Sequence, residues 1–139
     1  YGWNRTRSVA EKALAEGAVD GVADDETLAR CDLLIPALYP EATIQFLRRT
    51  IPLMKRGAQV VDLVGVKQRL VEEIAPLALE HGVRFTGGHP MAGLARAGYD
   101  RSYPDLFQGA SMILVPTEAT ARGDLEALES LFAQVRFQP

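Results

Sequence analysis

Apolar runs of strand length alternate along this chain with segments of helical periodicity. The runs Asp32–Leu38 and Ala58–Val64 are almost continuously apolar, and Val83–Thr86 and Ala110–Val115 are further strand candidates. Such unbroken apolar runs are typical of strands that are covered on both faces, as in parallel sheets. The alternation predicts an α/β fold, an open and mostly parallel sheet with helices on both faces.

The segments between the runs carry helix start and stop signals. Ser8 followed by Glu11 three residues later resembles a capping box, and Gly17 marks the end of that first helix. Val19–Val22 is a candidate short strand, and a helix over Lys67–Leu79 contains Pro76, where a kink is expected. Further helices are predicted after Asp24, after Tyr39 and over residues 122–134.

In sheets of this kind, ligands bind beyond the carboxyl ends of the strands. Four groups of residues follow predicted strands, so all four are expected at one edge of the sheet. These groups are Asn4-Arg5-Thr6-Arg7, Tyr39-Pro40, Gly65-Val66-Lys67 and the stretch around His89.

The stretch Gly87–Gly93 places one histidine among three glycines directly after a predicted strand. Glycine lets the backbone approach a ligand closely, and Pro90 biases His89 away from helical geometry. We expect a stiff loop that aims the imidazole at a ligand, where a neutral ring can act as a general base. A solvent-exposed histidine in a glycine-rich turn is the alternative.

Two arginines and a hydroxyl follow a strand that is predicted to end at Gly2-Trp3, a position where dinucleotide-binding folds often carry an acid. The guanidinium groups of Arg5 and Arg7 suit a 2′-phosphate, which favours NADP over NAD. A solvated helix start with two surface arginines is the alternative. The sequence contains no G-x-G-x-x-G loop. Either that loop precedes Tyr1 or no dinucleotide binds.

Composition excludes several classes of function. The 139 residues suit one domain, and a net charge of −3 without a Lys/Arg cluster argues against nucleic acid. No apolar run is long enough to span a membrane and no signal peptide is visible, so a cytoplasmic location is expected. Cys31 is the single cysteine, and no Cys/His spacing predicts a metal site. A lysine at a helix start, such as Lys67, is usually solvated, although it can reach a carboxylate or phosphate.

Two segments resemble signatures of the prephenate/arogenate dehydrogenases. Val60–Lys67 resembles their D-x-x-S-V-K segment, and Gly87–Gly93 is similar to their G-[GS]-H-P-M-A-G signature. Gly2–Thr6 resembles the adenosine side of their Rossmann domain, in a form shared with NADP-using β-hydroxyacid dehydrogenases. The resemblance covers nearly the whole chain. It implies that residues 1–139 form part of a Rossmann-like nucleotide-binding domain.

The resemblance implies NAD(P)-dependent oxidative decarboxylation of prephenate or arogenate to 4-hydroxyphenylpyruvate or tyrosine. His89 would be the catalytic base. The implied cofactor-binding residues are Asn4, Arg5, Thr6, Leu38, Tyr39, Pro40 and Gly65, and the implied substrate pocket is Gly65, Val66, Lys67, Pro90, Met91 and Gly93.

The chain departs from the family pattern at two polar positions. Gly65 stands where the family usually has a serine, and Ala95 stands where a glutamate is frequent. We also expect a piece cut at both ends, lacking the first strand, the glycine-rich loop and the C-terminal helical domain that builds a homodimer. Such a piece is expected to be inactive alone.

Two other functions remain open from the sequence. One is a non-catalytic Rossmann domain for nucleotide binding or protein interaction, which the departures at Gly65 and Ala95 favour. The other is a relative of the β-hydroxyacid dehydrogenases, which use a catalytic lysine on a later helical domain and lack the His-Pro-Met-Ala-Gly segment.

Overall fold

The computed structural model describes residues 1–94 and 98–138. Its sheet contains β1 (Leu33–Leu34), β2 (Gln59–Val61), β3 (Arg84–Pro90) and β4 (Met112–Pro116), which are neighbours in that order. The first three strands are parallel, and β4 is antiparallel to β3. The predicted open and mostly parallel sheet is therefore confirmed, although β1 and β2 are shorter than the apolar runs that contain them.

The helices within the described residues are α1 (Arg7–Ala15), α2 (Asp25–Arg30), α3 (Pro40–Thr50), α4 (Gln68–His81) and α5 (Asp124–Gln134). A proline opens α3 at its first position, where the missing N–H has no partner to lose. The α4 helix continues through Pro76 and ends at His81, and its C-cap Gly82 has a φ of 67° that suits glycine.

Neighbouring residues of β2 point into cores on opposite faces of the sheet. Val60 packs among residues of α3 and α4, whereas Val61 packs with Leu128 and Phe132 of α5. Both valines are fully buried, and each buried aliphatic side chain of this size contributes about 1.5–3 kcal/mol. The prediction of helices on both faces is confirmed.

Two expectations for the first part of the chain are wrong. Thr6, not Ser8, is the N-cap of α1, and its N–H is satisfied by Asn4 Oδ1 at 2.8 Å. Glu11 forms no capping box, because it accepts from Arg7 Nε at 2.8 Å. Residues 19–22 form no regular strand in the described structure, where a single parallel bridge joins Gly2 to Val22.

The stretch around His89 belongs to a strand rather than to the expected loop. β3 runs on to Pro90, and its last five residues pair with β4, so that His89 lies opposite Ile113. Glycine and proline do not favour a strand locally, and it is the pairing with β4 that holds this stretch in an extended conformation. The histidine is therefore carried on a hydrogen-bonded strand.

Candidate functional site

The candidate site lies at the carboxyl edge of the parallel strands. β2 ends at Val61, which pairs with Thr86, so residues 87–90 of β3 extend beyond the end of β2. The chain leaves β2 through Asp62–Lys67, here called the 62–67 turn, before α4 begins. Because β1 to β3 are parallel, the segment after β1, the 62–67 turn and His89 share this edge.

The imidazole of His89 rests on the backbone of Gly65. A methyl group built on Gly65 would lie 3.2 Å from His89 Nε2 and 3.3 Å from Cε1. His89 is half-buried, and Ile113 opposite it on β4 is 45% exposed. Since directly opposed residues share a sheet face, the partly exposed side chain of Ile113 borders the imidazole. The arrangement offers a ring nitrogen capable of taking up a proton.

A buried ion pair links the 62–67 turn to β3. Asp62 is fully buried. Its Oδ2 accepts from Val64 N at 2.8 Å and from Lys67 Nζ, and its Oδ1 accepts from Gly88 N at 3.3 Å. The carboxylate thus contacts both the turn and the strand that carries the histidine.

Lys67 turns its ammonium inward. Nζ donates to Asp62 Oδ2 and to the carbonyl oxygen of Val64, and the lysine side chain is only 15% exposed. Burial lowers the pKa of Lys67, since it disfavours the cation, and the hydrogen bond and charge of Asp62 oppose that shift. The solvated alternative for this lysine is therefore wrong, and the carboxylate that it reaches belongs to its own chain.

The residues predicted to bind the adenosine side form an exposed turn. Asn4, Arg5 and Thr6 are all exposed and precede α1, outside the four-stranded sheet. The turn is anchored by Trp3, whose ring centroid lies 4.6 Å from that of Phe46 on α3. Trp3 was not predicted as an anchor, although an aromatic residue beside the polar turn was a signal.

Residues 38–40 connect β1 to α3. Leu38 is half-buried against the α3/α4 core, and Tyr39 is 75% exposed at the N-cap of α3. Leu38 O accepts from Thr43 Oγ1 at 3.1 Å, which fixes this connection at the helix start. Tyr39 therefore presents its ring to solvent beyond the carboxyl end of β1.

The predicted pocket residues differ in exposure. Val66 is 69% exposed and Met91 is 56% exposed, and Gly93 is exposed as well, whereas Pro90 is buried. Ala95 lies outside the described residues. The structure thus brings Gly65, Lys67 and His89 together and leaves Val66 and Met91 as apolar groups open to a ligand.

Two site residues were missed by the sequence analysis. Asp62 was noted only as a strand residue, yet its carboxylate ties the turn to β3. The spacing of five residues between Asp62 and Lys67 was the available signal. Ile113 was missed because its position opposite His89 depends on pairing between distant segments.

Among residues 1–94 and 98–138, no cluster of three or more His, Cys, Asp or Glu side chains could bind a metal ion. Within the same ranges, no helix combines the length and the apolar character needed to cross a lipid bilayer.

Comparison with protein families identifies one domain family across the chain. Residues 1–138 match the family described as prephenate dehydrogenase, nucleotide-binding domain. The prephenate dehydrogenase of Bacillus subtilis is 30% identical over 122 residues, which cover 80% of this chain and 32% of that protein. That of Lactococcus lactis is 29% identical over 102 residues, which cover 73% of this chain and 29% of that protein.

Solved structures show the same fold. The arogenate dehydrogenase of Synechocystis is 30% identical with a TM-score of 0.88, over 96% of this chain and 47% of that chain. The prephenate dehydrogenase of Aquifex aeolicus, solved in complex with hydroxyphenyl propionate and NAD+, is 25% identical with a TM-score of 0.86. That match covers 99% of this chain and 48% of the other.

The chain spans about a third of the length of these curated relatives and about half of the solved chains. The family match, which extends over nearly every residue, agrees with the resemblance in the 62–67 turn and around His89. It does not favour the β-hydroxyacid dehydrogenase alternative. The chain belongs to the prephenate dehydrogenase family and represents its nucleotide-binding domain.

Proposed function

We propose that the protein catalyses the NAD(P)-dependent oxidative decarboxylation of prephenate or arogenate. The observation that carries this proposal is the placement of His89 at the carboxyl edge of the sheet, where its imidazole lies against Gly65. His89 belongs to the segment that resembles the family signature, and the family match covers that segment. The products would be 4-hydroxyphenylpyruvate from prephenate and tyrosine from arogenate, with CO2 released in both cases.

His89 acts in this proposal as the general base. Its neutral imidazole takes the proton of the ring hydroxyl while the ring carbinol carbon is oxidised to a carbonyl. When bound, NAD(P)+ would supply the acceptor for the hydride that leaves that carbon. The bond between the ring and its carboxylate then breaks, and its electron pair completes the aromatic ring as CO2 leaves. The half-buried strand position of His89 restricts the orientation of the imidazole.

The exposed turn at Asn4, Arg5 and Thr6 is proposed to bind the adenosine side of the cofactor. An amide, a guanidinium and a hydroxyl supply the donors that ribose and phosphate oxygens require. Arg5 supports a preference for NADP over NAD. The complex of the Aquifex aeolicus enzyme with NAD+ supports binding of a nicotinamide cofactor in this family.

The remaining contacts are proposed from their positions at the same edge. Leu38, Tyr39 and Pro40 would border the cofactor beyond β1, and Gly65 would lie between the cofactor and the substrate. The substrate pocket would be lined by Gly65, Val66, Pro90, Met91, Gly93 and the methylene stem of Lys67, whose ammonium is engaged by Asp62 and the Val64 carbonyl. Family membership supports a cytoplasmic homodimer whose small-molecule partner is prephenate or arogenate.

The base role is tested by His89→Asn in the full-length protein. We expect kcat to fall by about 10²–10⁴, the usual contribution of a general base, while the Kd of the cofactor stays unchanged. His81→Asn is the matched control, because His81 lies at the far end of α4. An equal loss of kcat and of cofactor affinity would show that His89 supports the binding site rather than the chemistry.

The cofactor preference is tested by Arg5→Ala. We expect weaker binding of NADP and unchanged binding of NAD, because only NADP carries the 2′-phosphate. Arg30→Ala is the control, because Arg30 is an exposed arginine paired with Glu26 at the end of α2, before β1. Titration of each variant with both cofactors by calorimetry gives the comparison. If Arg5→Ala leaves NADP affinity intact, the 2′-phosphate assignment is wrong.

A further inference from the structure

Asp62 is a fully buried carboxylate that the proposed reaction does not use. Removing an ionised carboxylate from water is costly unless it is paired and hydrogen-bonded. A buried carboxylate at the edge of a candidate site therefore needs an explanation from the groups that it contacts.

The partners of Asp62 come from two separate parts of the chain. Val64 N and Lys67 Nζ belong to the 62–67 turn, whereas Gly88 N belongs to β3, directly before the histidine. One carboxylate therefore closes the turn on itself and fastens it to the strand. The bond to Gly88, at 3.3 Å, is the longest of the three.

The stem of Lys67 lies across β3 as well. A methyl group on Gly87 would lie 3.3 Å from Lys67 Cδ, so the lysine methylenes cover the strand one residue before Gly88. Its ammonium then reaches Asp62 and the carbonyl of Val64. The methylenes of Lys67 thus pack on β3, and its ammonium binds the first and the third residue of the turn, Asp62 and Val64.

The two glycines before His89 permit this close approach. A methyl group on Gly88 would lie only 2.3 Å from the carbonyl oxygen of Asp62 and 2.6 Å from Met112 Cε. Neither distance is possible for a real side chain, so Gly88 is required for the contact between the 62–67 turn and β3. The same turn brings Gly65 within 3.2 Å of the His89 imidazole, measured to a methyl group built on Gly65.

We propose that Asp62 and Lys67 are positioning residues, which clamp the 62–67 turn onto β3 and thereby hold the backbone of Gly65 against the imidazole of His89. The clamp fixes the plane of the ring in a chain that lacks a side chain at residue 65. For catalysis, this inference rests on the proposed role of His89 as the base. For the orientation of the ring, it stands on the contacts alone.

The test uses the full-length protein and the variants Lys67→Met, Asp62→Asn and the double variant. We expect kcat to fall by about 10- to 100-fold in each single variant, because small errors in placing a reacting group have effects of this size. KM and the cofactor Kd should stay unchanged. The double variant should lose less than the product of the two single losses, since the two residues act as one unit.

Lys55→Met is the matched control, because it breaks a lysine–aspartate pair with Asp32 before β1 and β2, at the opposite end of the strands. Lys67→Arg should recover part of the lost rate, since it keeps a cation that donates to Asp62. The double variant removes both charges together, so it remains a valid test if a lone buried charge prevents a single variant from folding.

A second measurement does not depend on activity. In histidine-labelled protein, the NMR signals of the His89 ring, assigned with His89→Asn, should move in Lys67→Met and stay in place in Lys55→Met. Unmoved signals and an unchanged kcat in folded variants would overturn the clamp. A raised KM with unchanged kcat would also overturn it, because Lys67 would then be a substrate ligand.

The two proposals fail in different ways. If His89→Asn leaves kcat unaltered, the base assignment is wrong, and the ring signals still decide whether Asp62 and Lys67 orient the imidazole. If His89→Asn abolishes turnover while the ring signals stay in place in both Lys67→Met and Asp62→Asn, the base assignment is supported and the clamp is overturned.

Discussion

Two lysine–aspartate pairs lie at opposite ends of the parallel strands. Asp32 and Lys55 precede β1 and β2, with Nζ and Oδ1 2.5 Å apart and side chains 93% and 46% exposed. Asp62 and Lys67 follow β2, with side chains 0% and 15% exposed. The two pairs share the same charged groups but differ in their contact with water.

This difference separates a surface contact from a structural constraint. At the exposed pair, water and salt screen the attraction, and ordering two mobile side chains offsets much of the gain. At the buried pair, the Asp62 side chain has no contact with water and the Lys67 side chain has little, so each charge depends on the other. Only the buried pair has the environment needed to hold neighbouring groups in one geometry.

The direction of the pKa shifts follows the same division. Hydrogen bonding and the charge of Lys55 lower the pKa of Asp32, because attraction to the cation is opposed by little burial. Burial is the largest cause at Lys67 and lowers its pKa despite the adjacent carboxylate. Desolvation therefore outweighs attraction at Lys67, whereas attraction outweighs desolvation at Asp32.

The largest expected effect is the loss of the buried carboxylate. Asp62→Ala should lower the free energy of unfolding by about 3–5 kcal/mol, because it leaves a buried lysine without its partner. Asp32→Ala removes the same group from the exposed pair and should change stability far less. Urea denaturation followed by circular dichroism measures both. Equal losses in the two variants would mean that burial does not distinguish the pairs.

The alternating pattern predicted most of the fold because its cause is local. Val60 and Val61 are adjacent apolar residues, and a strand covered on both faces buries both of them. The sequence therefore predicts that the residues just after such strands share one edge of the sheet. Helix limits were less certain, as at Thr6 and Ser8, because neighbouring polar residues compete for the same cap.

The strand position of His89 could not be predicted from its neighbours. Two glycines and Pro90 favour a loop, and the pairing that overrides them comes from β4, where Ile113 lies 24 positions later in the chain. The contact between Asp62 and Lys67 could not be predicted for a related reason. The spacing of Asp62 and Lys67 is visible, but whether the lysine points inward depends on the close approach that Gly87 and Gly88 allow.

The smallest expected effect concerns the exposed pair and its dependence on pH. The folded pKa of Asp32 lies below its ordinary value of 3.8, so ionised Asp32 stabilises the folded state above that value. This contribution is lost as the pH falls through the folded pKa. The difference in stability between the wild type and Asp32→Asn should therefore be small at neutral pH and should shrink further below pH 3.8. Added salt should also reduce this difference in stability.

Urea denaturation across that range of pH, with Lys55→Met as the reciprocal variant, measures the effect. A difference that stays constant with pH would show that Asp32 acts through packing rather than charge, contrary to its exposure.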